Sequence, residues 1–439
     1  MLCRKNAIFL FIRFYSRGQR WRCSIIMKIS YLRWAIEKGQ LDSRFASLYG
    51  ADAVEWQRRR YIRALDRFAI NFGDGREDRN VRVYSVSGRS EISGNHTDHN
   101  GGCIIGCAID LDLIAVVSAR EDGVIELRSE GFDPDIVRVG DGTAYPRFSS
   151  ASLISGIAEQ IAERGYTVGG FDAYTVSSVY KGSGLSSSAA FEDAVGLIIN
   201  DMFCDGALSP LELAIISQRA ERDYFGKACG LMDQAVCAVG GLVSLDFADE
   251  SDPKVTQLCP NLDGLGLCMC ITNTGGSHAG LDTSYARIPA DMVYIANLFD
   301  KGVLGDVDPE EFRRKGWDPA NRPVRRAMHF FNENERVPLM RDALKRGDGA
   351  TYMRLMNESG RSSEELLNNI ITSATGDTKL AQGLDRSRKL LEGKGAWRVH
   401  GGGFAGCVQA LMPTDYFPTY KEDMEKAFGG GSCREIRLV

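Results

Sequence analysis

The chain opens with a helical pattern of apolar residues and then changes to a strand-like one. Apolar side chains in residues 27–71 recur every three or four positions, as they do when a helix buries one face. Alternating and continuous apolar segments then predict strands at 81–86, 104–111, 114–119 and 123–127. The polar segment Glu121-Asp122-Gly123 predicts a hairpin turn before the last of these strands. The pattern therefore predicts helices followed by a sheet.

The rest of the chain mixes both patterns and becomes mainly helical after residue 273. Further strands are predicted at 171–179, 241–247 and 265–273. Helices are predicted at 150–164, 186–203, 211–225, 309–314, 322–346, 350–369 and 378–391. Residues 398–411 predict a strand, a glycine loop and a second strand. Since 439 residues exceed the size at which a single core usually stops growing, we expect two domains around one cleft.

Charge and cysteine content argue against several classes of protein. The 53 basic and 58 acidic residues give a net charge of -5 and are interspersed, so we expect no nucleic-acid partner. No apolar segment approaches the roughly 20 residues that span a membrane, so we expect no membrane partner either. The 12 cysteines include no C-x-x-C pair and lie singly in apolar segments. We interpret them as reduced core thiols of a cytoplasmic protein, not as disulfides or a zinc site.

Residues 1–26 differ from everything that follows. They carry six basic residues, and their apolar stretch is shorter than a usual signal-peptide core. No small-residue cleavage site is obvious after that stretch. We interpret the segment as a non-native or disordered extension that comes from a mis-assigned start codon, rather than as a targeting peptide.

The first segment with candidate chemistry is residues 87–102, where charged groups, imidazoles and glycines lie between two apolar strands. Asp98 can accept two hydroxyl hydrogen bonds, and His96 can donate or accept one. Arg89 presents a fixed fork of donors that suits a phosphoryl group in transit. These groups are suited to a sugar and a phosphoryl group, although Asn-His-Thr-Asp is also a good set of turn and capping residues.

The second segment is Lys181-Gly-Ser-Gly-Leu-Ser-Ser-Ser-Ala189, which precedes and opens a predicted helix. Its glycines allow a sharp bend, and backbone N–H groups at a helix start bind anions such as phosphate. It lacks the Gly-Lys-Ser or Gly-Lys-Thr ending of a Walker P-loop. An ordinary helix cap would need only one of the three serines, so we favour phosphate binding.

A third segment runs from Glu221 to Asp233 and turns back after a predicted helix. Asp233 lies among apolar residues, so its carboxylate needs a partner, for which Arg89 is a candidate. The simpler interpretation is a capping aspartate before a helix. A glycine-rich segment, His400–Cys407, predicts close packing of backbone against a neighbour or ligand and is weak support by itself.

Together and in this order, the segments resemble the motifs of the GHMP kinases, and most closely those of the galactokinase branch. Residues 87–102 resemble the sugar signature, 182–189 the ATP loop, 230–234 the Gly-Leu-Met-Asp-Gln segment and 401–407 the C-terminal glycine motif. The resemblance implies an α+β, two-domain GHMP kinase fold with the active site in the cleft between the domains. It implies a ribosomal S5 domain 2-like domain at 27–245 and a ferredoxin-like α+β domain at 246–439.

The resemblance also implies an ATP-dependent sugar 1-kinase, with galactose as the substrate. Asp233 would act as the base toward the anomeric hydroxyl or orient it, and Arg89 would stabilise the moving phosphoryl group. Ser188 and Glu221 would hold Mg²⁺. The implied sugar ligands are Asn95, His96, Asp98, Gly230 and Tyr285. The implied ATP ligands are Gly182, Ser183, Gly184, Leu185, Ser186, Ser187 and Ser188.

Several positions depart from the pattern of the family. Asn95 stands where a glutamate is usual, which replaces a charged acceptor of a sugar hydroxyl by an amide. The other departures are Tyr180 for proline, His99 for tyrosine, Ala405 for glycine, and Ser150 and Leu153 for a tryptophan and a tyrosine near the adenine. Two alternatives stay open: a kinase of a related sugar (N-acetylgalactosamine, galacturonate or arabinose), and a non-catalytic sugar sensor. We expect only ATP and a small sugar as partners of a monomer or weak homo-oligomer.

Overall fold

The computed structural model describes residues 13–14, 26–73, 75–179, 184–258, 265–276, 280–372 and 374–438. Two predicted ATP ligands, Gly182 and Ser183, lie outside the described residues, as do Tyr180 and most of the predicted N-terminal extension.

Helices and strands are interspersed along the described chain, as predicted for an α+β fold. The helices are α1 (Ile29–Glu37), α2 (Asp42–Tyr49), α3 (Val54–Phe72), α4 (Ser150–Ala162), α5 (Ser187–Phe203), α6 (Pro210–Arg219), α7 (Met232–Val239), α8 (Asp282–Asn297), α9 (Pro309–Arg314), α10 (Arg322–Arg346), α11 (Gly349–Ser362), α12 (Lys379–Leu391) and α13 (Phe417–Phe428). The strands are β1 (Arg13–Phe14), β2 (Met27–Lys28), β3 (Asn80–Ser93), β4 (Cys103–Arg120), β5 (Val124–Ser129), β6 (Asp135–Arg138), β7 (Gly170–Ser177), β8 (Leu242–Asp246), β9 (Lys254–Leu258), β10 (Leu267–Asn273), β11 (Ala396–His400), β12 (Cys407–Pro413) and β13 (Cys433–Ile436). Helices α9 and α10 have the predicted bounds.

The predicted hairpin at Glu121-Asp122-Gly123 is wrong. Strand β7 lies between β4 and β5, pairing antiparallel with β4 and parallel with β5. The chain does reverse direction at this turn, but the space between β4 and β5 is filled by β7, which begins 50 residues after the end of β4. A turn signal reports a local reversal and cannot report which strand supplies the hydrogen bonds.

The described chain forms two compact units. The first contains residues up to Ser87, Leu111–Ser178 and Ser188–Lys227, and the second contains Gly88–Asp110, Val179–Ser187 and Ala228–Val439. Each unit therefore combines separate stretches of chain. The predicted boundary between residues 245 and 246 stays a prediction.

In the first unit, the order of paired strands is β1, β3, β4, β7, β5 and β6, and β2 also pairs with β3. Helices α1 to α3 cover the sheet, because the apolar face that the sequence predicted for residues 27–71 is buried against it. Phe45, Tyr61 and Phe68 are among the buried side chains of this core. The helices and the sheet that the opening pattern predicted are both present, and the structure shows that they share one core.

The second unit contains a four-stranded sheet in the order β11, β12, β10 and β13, with every pair antiparallel. The start of β4 pairs with β8, and β8 pairs with β9. Helices α8 and α10 enclose a separate apolar core that reaches Phe404 in the glycine-rich segment. The glycine-rich segment connects β11 to β12, as predicted, and is therefore anchored by a strand on each side.

Two further findings concern the described residues as a whole. No helix among them is both long and apolar enough to cross a membrane. No disulfide joins the cysteines that lie in this part of the chain, and most of those cysteines are buried.

Candidate active site

A carboxylate and a guanidinium form the centre of the candidate site in the second unit. Arg89 donates from Nε and Nη2 to Asp233 Oδ1, at 2.8 and 2.6 Å. The other carboxylate oxygen, Oδ2, accepts a hydrogen bond from the Ser186 hydroxyl. The Arg89 side chain is 5% exposed and the Asp233 side chain 35%, so the carboxylate is the accessible member of the pair. The predicted pairing of Asp233 with Arg89 is confirmed.

Local structure holds these side chains in place. Asp233 lies in the first turn of α7, and Arg89 lies on β3, where its Nη1 also donates to the carbonyl of Gly184. Ser186 has a left-handed φ of 59° directly before α5. Burial by itself lowers the pKa of the Arg89 guanidinium, but the Asp233 carboxylate more than offsets this and raises it. Arg89 therefore stays charged at any physiological pH.

The carboxylate of Asp98 lies against the backbone of Gly230. A Cβ atom at Gly230 would lie 1.7 Å from Asp98 Oδ2, so only glycine leaves room for this contact. The backbone N–H of Met232 donates to the same oxygen at 3.4 Å. Burial, followed by the nearby charge of Asp233, raises the pKa of Asp98 to about 6. Two predicted sugar ligands are thus adjacent to each other at the start of the helix that carries Asp233.

A chain of hydrogen bonds fixes the orientation of His96. Its Nε2 lies 3.0 Å from the carbonyl oxygen of Gly402, and because a carbonyl only accepts, Nε2 carries the hydrogen. The Nδ1 of His96 then accepts from His99 Nε2 at 3.2 Å, and His99 Nδ1 accepts from Asn100 Nδ2 at 2.8 Å. Burial lowers the pKa of His96 to about 4. Near neutral pH, His96 is therefore an uncharged ring with a defined tautomer.

The glycine-rich segment brings three predicted sugar ligands together. Asn95 Nδ2, His96 Nε2 and the Tyr285 hydroxyl donate in turn to the carbonyl oxygens of residues 401, 402 and 403, at 2.8, 3.0 and 2.7 Å. The C-terminal glycine motif was weak support in the sequence. In the structure its backbone carbonyls accept hydrogen bonds from the neighbouring Asn95 and His96 and from Tyr285, which lies far from them along the chain.

Asn95 lies deeper than a sugar ligand is expected to lie. Its side chain has no exposed surface, and Nδ2 donates to both carboxylate oxygens of Glu91 at 3.2 Å as well as to residue 401. Its Oδ1 accepts from Ser363 Oγ at 3.1 Å and from Asn369 Nδ2 at 3.0 Å. Glu91 in turn forms a buried ion pair with Arg398. The amide of Asn95 is therefore fully occupied by protein groups, and its predicted role as a sugar ligand stays a prediction.

The two predicted Mg²⁺ ligands lie in the first unit. Ser188 is exposed in the first turn of α5, and Glu221 follows α6 in a short π-helical turn. Lys227 Nζ donates to Oε1 of the buried Glu221 side chain at 2.7 Å. A hydroxyl and a carboxylate are the hard oxygen donors that Mg²⁺ prefers, so these residues fit the ion by their chemistry.

The two positions at which the family usually has aromatic residues are occupied differently. Leu153 is buried in α4, and the Ser150 hydroxyl donates to Asp135 Oδ1 at 2.7 Å. Just before this helix, Phe148 is 70% exposed and packs edge-to-face against Phe225, with ring centroids 5.4 Å apart. The aromatic surface in this region therefore comes from residues outside the positions that the family pattern indicates.

Sequence reasoning missed the buried partners of the site. Glu91, Ser90, Arg398 and His400 are all nearly inaccessible and all lie within or beside the predicted motifs. Charged or imidazole side chains beside apolar strand residues were the available signal, since such groups are seldom buried without a partner. The sequence could not indicate which partner each one takes.

Two protein-family models match parts of the chain. Residues 66–119 match the galactokinase galactose-binding signature, and residues 152–241 match the GHMP kinases N terminal domain. A galactokinase of Clostridium tetani (strain Massachusetts / E88) is 28% identical over 389 residues, covering 85% of this chain and 94% of that relative.

Solved structures show the same fold. Lactococcus lactis galactokinase in complex with galactose matches with a TM-score of 0.75 at 23% identity, covering 86% of this chain and 98% of that one. Methanococcus jannaschii mevalonate kinase matches with a TM-score of 0.58 at 14% identity, covering 81% of this chain and 98% of that one. The predicted GHMP kinase fold is thereby confirmed, and parts of the chain match the GHMP kinases N terminal domain and the galactokinase galactose-binding signature.

Proposed function

We propose that this protein is a sugar kinase that transfers the γ-phosphoryl group of ATP to the anomeric hydroxyl of galactose. One observation carries the proposal: a partly accessible carboxylate, Asp233, is held by the buried cation Arg89 beside Asp98, within the second unit. Phosphoryl transfer requires mainly positioning and electrostatic stabilisation, and this group of residues supplies both. The galactose-binding signature and the galactokinase relative support the choice of sugar.

In the proposed reaction, the sugar hydroxyl gives its proton to the Asp233 carboxylate as its oxygen attacks the γ-phosphorus. The bond from the γ-phosphorus to the bridging oxygen breaks, and ADP leaves with the electron pair. Arg89 stabilises the negative charge on the transferring group. Because the Asp233 side chain is 35% exposed, the proton can pass to water afterwards.

Ser188 and Glu221 would hold Mg²⁺, which would neutralise charge on the nucleotide phosphates. Magnesium sites of this kind use one or two protein oxygens and complete their shell with phosphates and water. Asp98 would bind a sugar hydroxyl as an ionised acceptor. His96, whose two ring nitrogens already bond to Gly402 and His99, would line the sugar site as a neutral ring. Because ATP is a substrate, we expect the enzyme to act in the cytoplasm.

A related sugar is the second candidate substrate, and the state of Asn95 favours it. The amide of Asn95 is buried and its four hydrogen-bonding positions are used within the protein. A glutamate at this position could accept a hydrogen bond from a sugar hydroxyl. In this protein that hydroxyl has no such acceptor. A sugar in which this hydroxyl is absent or replaced would lose less affinity here than in an enzyme that binds it.

A coupled ADP-release assay with Mg-ATP tests the proposal. The panel contains galactose, N-acetylgalactosamine, galacturonate, arabinose and glucose, with Asp233→Asn as the inactive control. The highest kcat/KM with galactose supports the main proposal, and a preference for another member identifies the second candidate. Measurable ATP binding without turnover on any sugar would overturn both and favour a non-catalytic sensor.

A further inference from the structure

A buried histidine beside the phosphate-binding segment has a ring nitrogen without a partner. His400 ends strand β11 and is 2% exposed. Its Nε2 lies 3.0 Å from Ser90 Oγ, whereas its Nδ1 makes no hydrogen bond within the described residues. Buried polar atoms are nearly always paired, so an unpaired one indicates a missing ligand, ion or water.

The hydrogen bonds among His400, Ser90 and Gln409 leave one donor on the His400 ring without an acceptor, and they leave Gln409 Oε1 without a donor. Burial, with the nearby charges of Arg89 and Arg398, lowers the pKa of His400 well below its usual value, so the ring is neutral and carries one N–H. Ser90 Oγ accepts from Gln409 Nε2 at 2.9 Å, which leaves the Ser90 hydroxyl hydrogen to donate to His400 Nε2. The ring hydrogen then lies on Nδ1. In the opposite tautomer both the Ser90 hydroxyl hydrogen and the Nδ1 lone pair would be unpaired, so the tautomer with Nδ1–H leaves fewer buried groups unsatisfied.

The surplus donor faces the loop that precedes α5. A Cβ atom at Gly184 would lie 3.2 Å from His400 Nδ1, so the imidazole lies directly against this glycine, which has a left-handed φ of +71°. The carbonyl of Gly184 already accepts from Arg89. One cation and one neutral donor therefore flank the same residue of a loop whose sequence is suited to anions. An additional acceptor with negative charge would complete the hydrogen bonding of the network.

We propose that His400 is a further nucleotide-site residue whose Nδ1–H donates to a phosphate oxygen bound beside Gly184. The identity of the anion as a nucleotide phosphate rests on the proposed function, whereas the unpaired donor does not. The role differs from that of Arg89, because a neutral imidazole adds direction to the phosphate position without adding charge. His400 directly precedes the C-terminal glycine motif, and its side chain supplies a hydrogen-bond donor that a glycine lacks.

Two substitutions of similar size separate the ring nitrogens. In His400→Gln the side-chain amide reaches the position of Nε2 and keeps the contact with Ser90, but no donor remains near the Nδ1 position. In His400→Asn the shorter amide can place its N–H₂ near the Nδ1 position. The measurement is isothermal titration of ADP and of adenosine to the full-length protein without sugar.

We expect His400→Gln to weaken ADP binding by about 10- to 100-fold, the value of a lost hydrogen bond to a charged group. Adenosine binding should be unchanged, because adenosine has no phosphate. His400→Asn should bind ADP within about threefold of the unsubstituted protein, since it retains the donor. Sugar affinity should be the same in all three proteins.

Equal losses for ADP and adenosine would overturn the proposal, because they would indicate a general packing role. An unchanged ADP affinity in His400→Gln would also overturn it, and would leave a buried water as the partner of Nδ1. If either variant fails to fold, Ser90→Ala serves instead: it frees Nε2 from its donor, so ADP should bind more weakly while adenosine does not. These readouts are independent of turnover, so an absence of sugar-dependent ADP release would refute the proposed function and leave this inference standing.

Discussion

Replacing Asp233 by asparagine should abolish the chemical step while nucleotide binding persists. In the structure, Oδ1 accepts two hydrogen bonds from Arg89 and Oδ2 accepts one from Ser186. An asparagine can keep its Oδ1 as the acceptor for Arg89, but it has neither the charge nor the basicity to receive a proton. The substitution therefore alters the chemistry more than it alters the packing.

The proposed role of Asp233 sets the expected loss of kcat, and the burial of its ion pair with Arg89 sets the expected loss of stability. Loss of a general base lowers kcat by about 100- to 10,000-fold. Removing one partner of a fully buried ion pair costs about 3 to 5 kcal/mol, and the cost here is smaller because the Asp233 side chain is 35% exposed. Asp233→Ala also removes the acceptor for the buried Arg89, so we expect it to be the less stable of the two variants.

The assay combines single-turnover phosphorylation with titration of ADP, using both variants and the unsubstituted protein. We expect both variants to bind ADP within a few-fold of the unsubstituted protein and to lose sugar-dependent turnover. A kcat within tenfold of the unsubstituted value in Asp233→Asn would refute the assignment of Asp233 to proton transfer or orientation. A parallel loss of ADP affinity would show instead that the carboxylate maintains the Ser186 region of the loop.

The remaining predictions concern the sugar side of the site. Gly230→Ala should raise the KM for sugar at least tenfold, because its Cβ would displace the Asp98 carboxylate, whereas Gly316→Ala, which has open space around it, should have no effect. Since the pKa of Asp98 is raised to about 6, the ionised acceptor is lost as the pH falls through 6; the KM for sugar should rise between pH 7 and pH 5, and Asp98→Asn should flatten this profile at a uniformly high KM. Asn95→Glu should lower the melting temperature, because it places a second carboxylate against Glu91. Glu91→Gln alone should also lower it, because it breaks the buried ion pair with Arg398, but Asn95→Glu should cost less stability in the Glu91→Gln background than in the unsubstituted protein. An equal cost of Asn95→Glu in both backgrounds would contradict this pairing.

Helices were predicted well where one face of the pattern was apolar over several turns, as in α10, because the period of the pattern is the period of the structure. Strand partners were not predictable in this way. The turn at Glu121-Asp122-Gly123 indicated a reversal correctly, yet β7 occupies the space beside β4. Pairing between strands distant along the chain depends on burial and backbone geometry over the whole sheet. A local sequence pattern therefore cannot predict which strands pair.

The site divides in the same way into a predictable part and a part that only the structure reveals. Arg89 and Asp233 could be paired from sequence, because a carboxylate among apolar residues requires a cation and few were available near a motif. The role of the glycine-rich segment could not be predicted. Glycines indicate that another group can approach the backbone closely, but they do not indicate which group it is. At Gly402 the close neighbour is Tyr285, whose Cε1 would lie 2.7 Å from a Cβ atom there. The segment is glycine-rich because side chains from the sugar signature and α8 must reach its carbonyl groups, so a substitution that adds a side chain at Gly402 should displace Tyr285 and raise the KM for sugar.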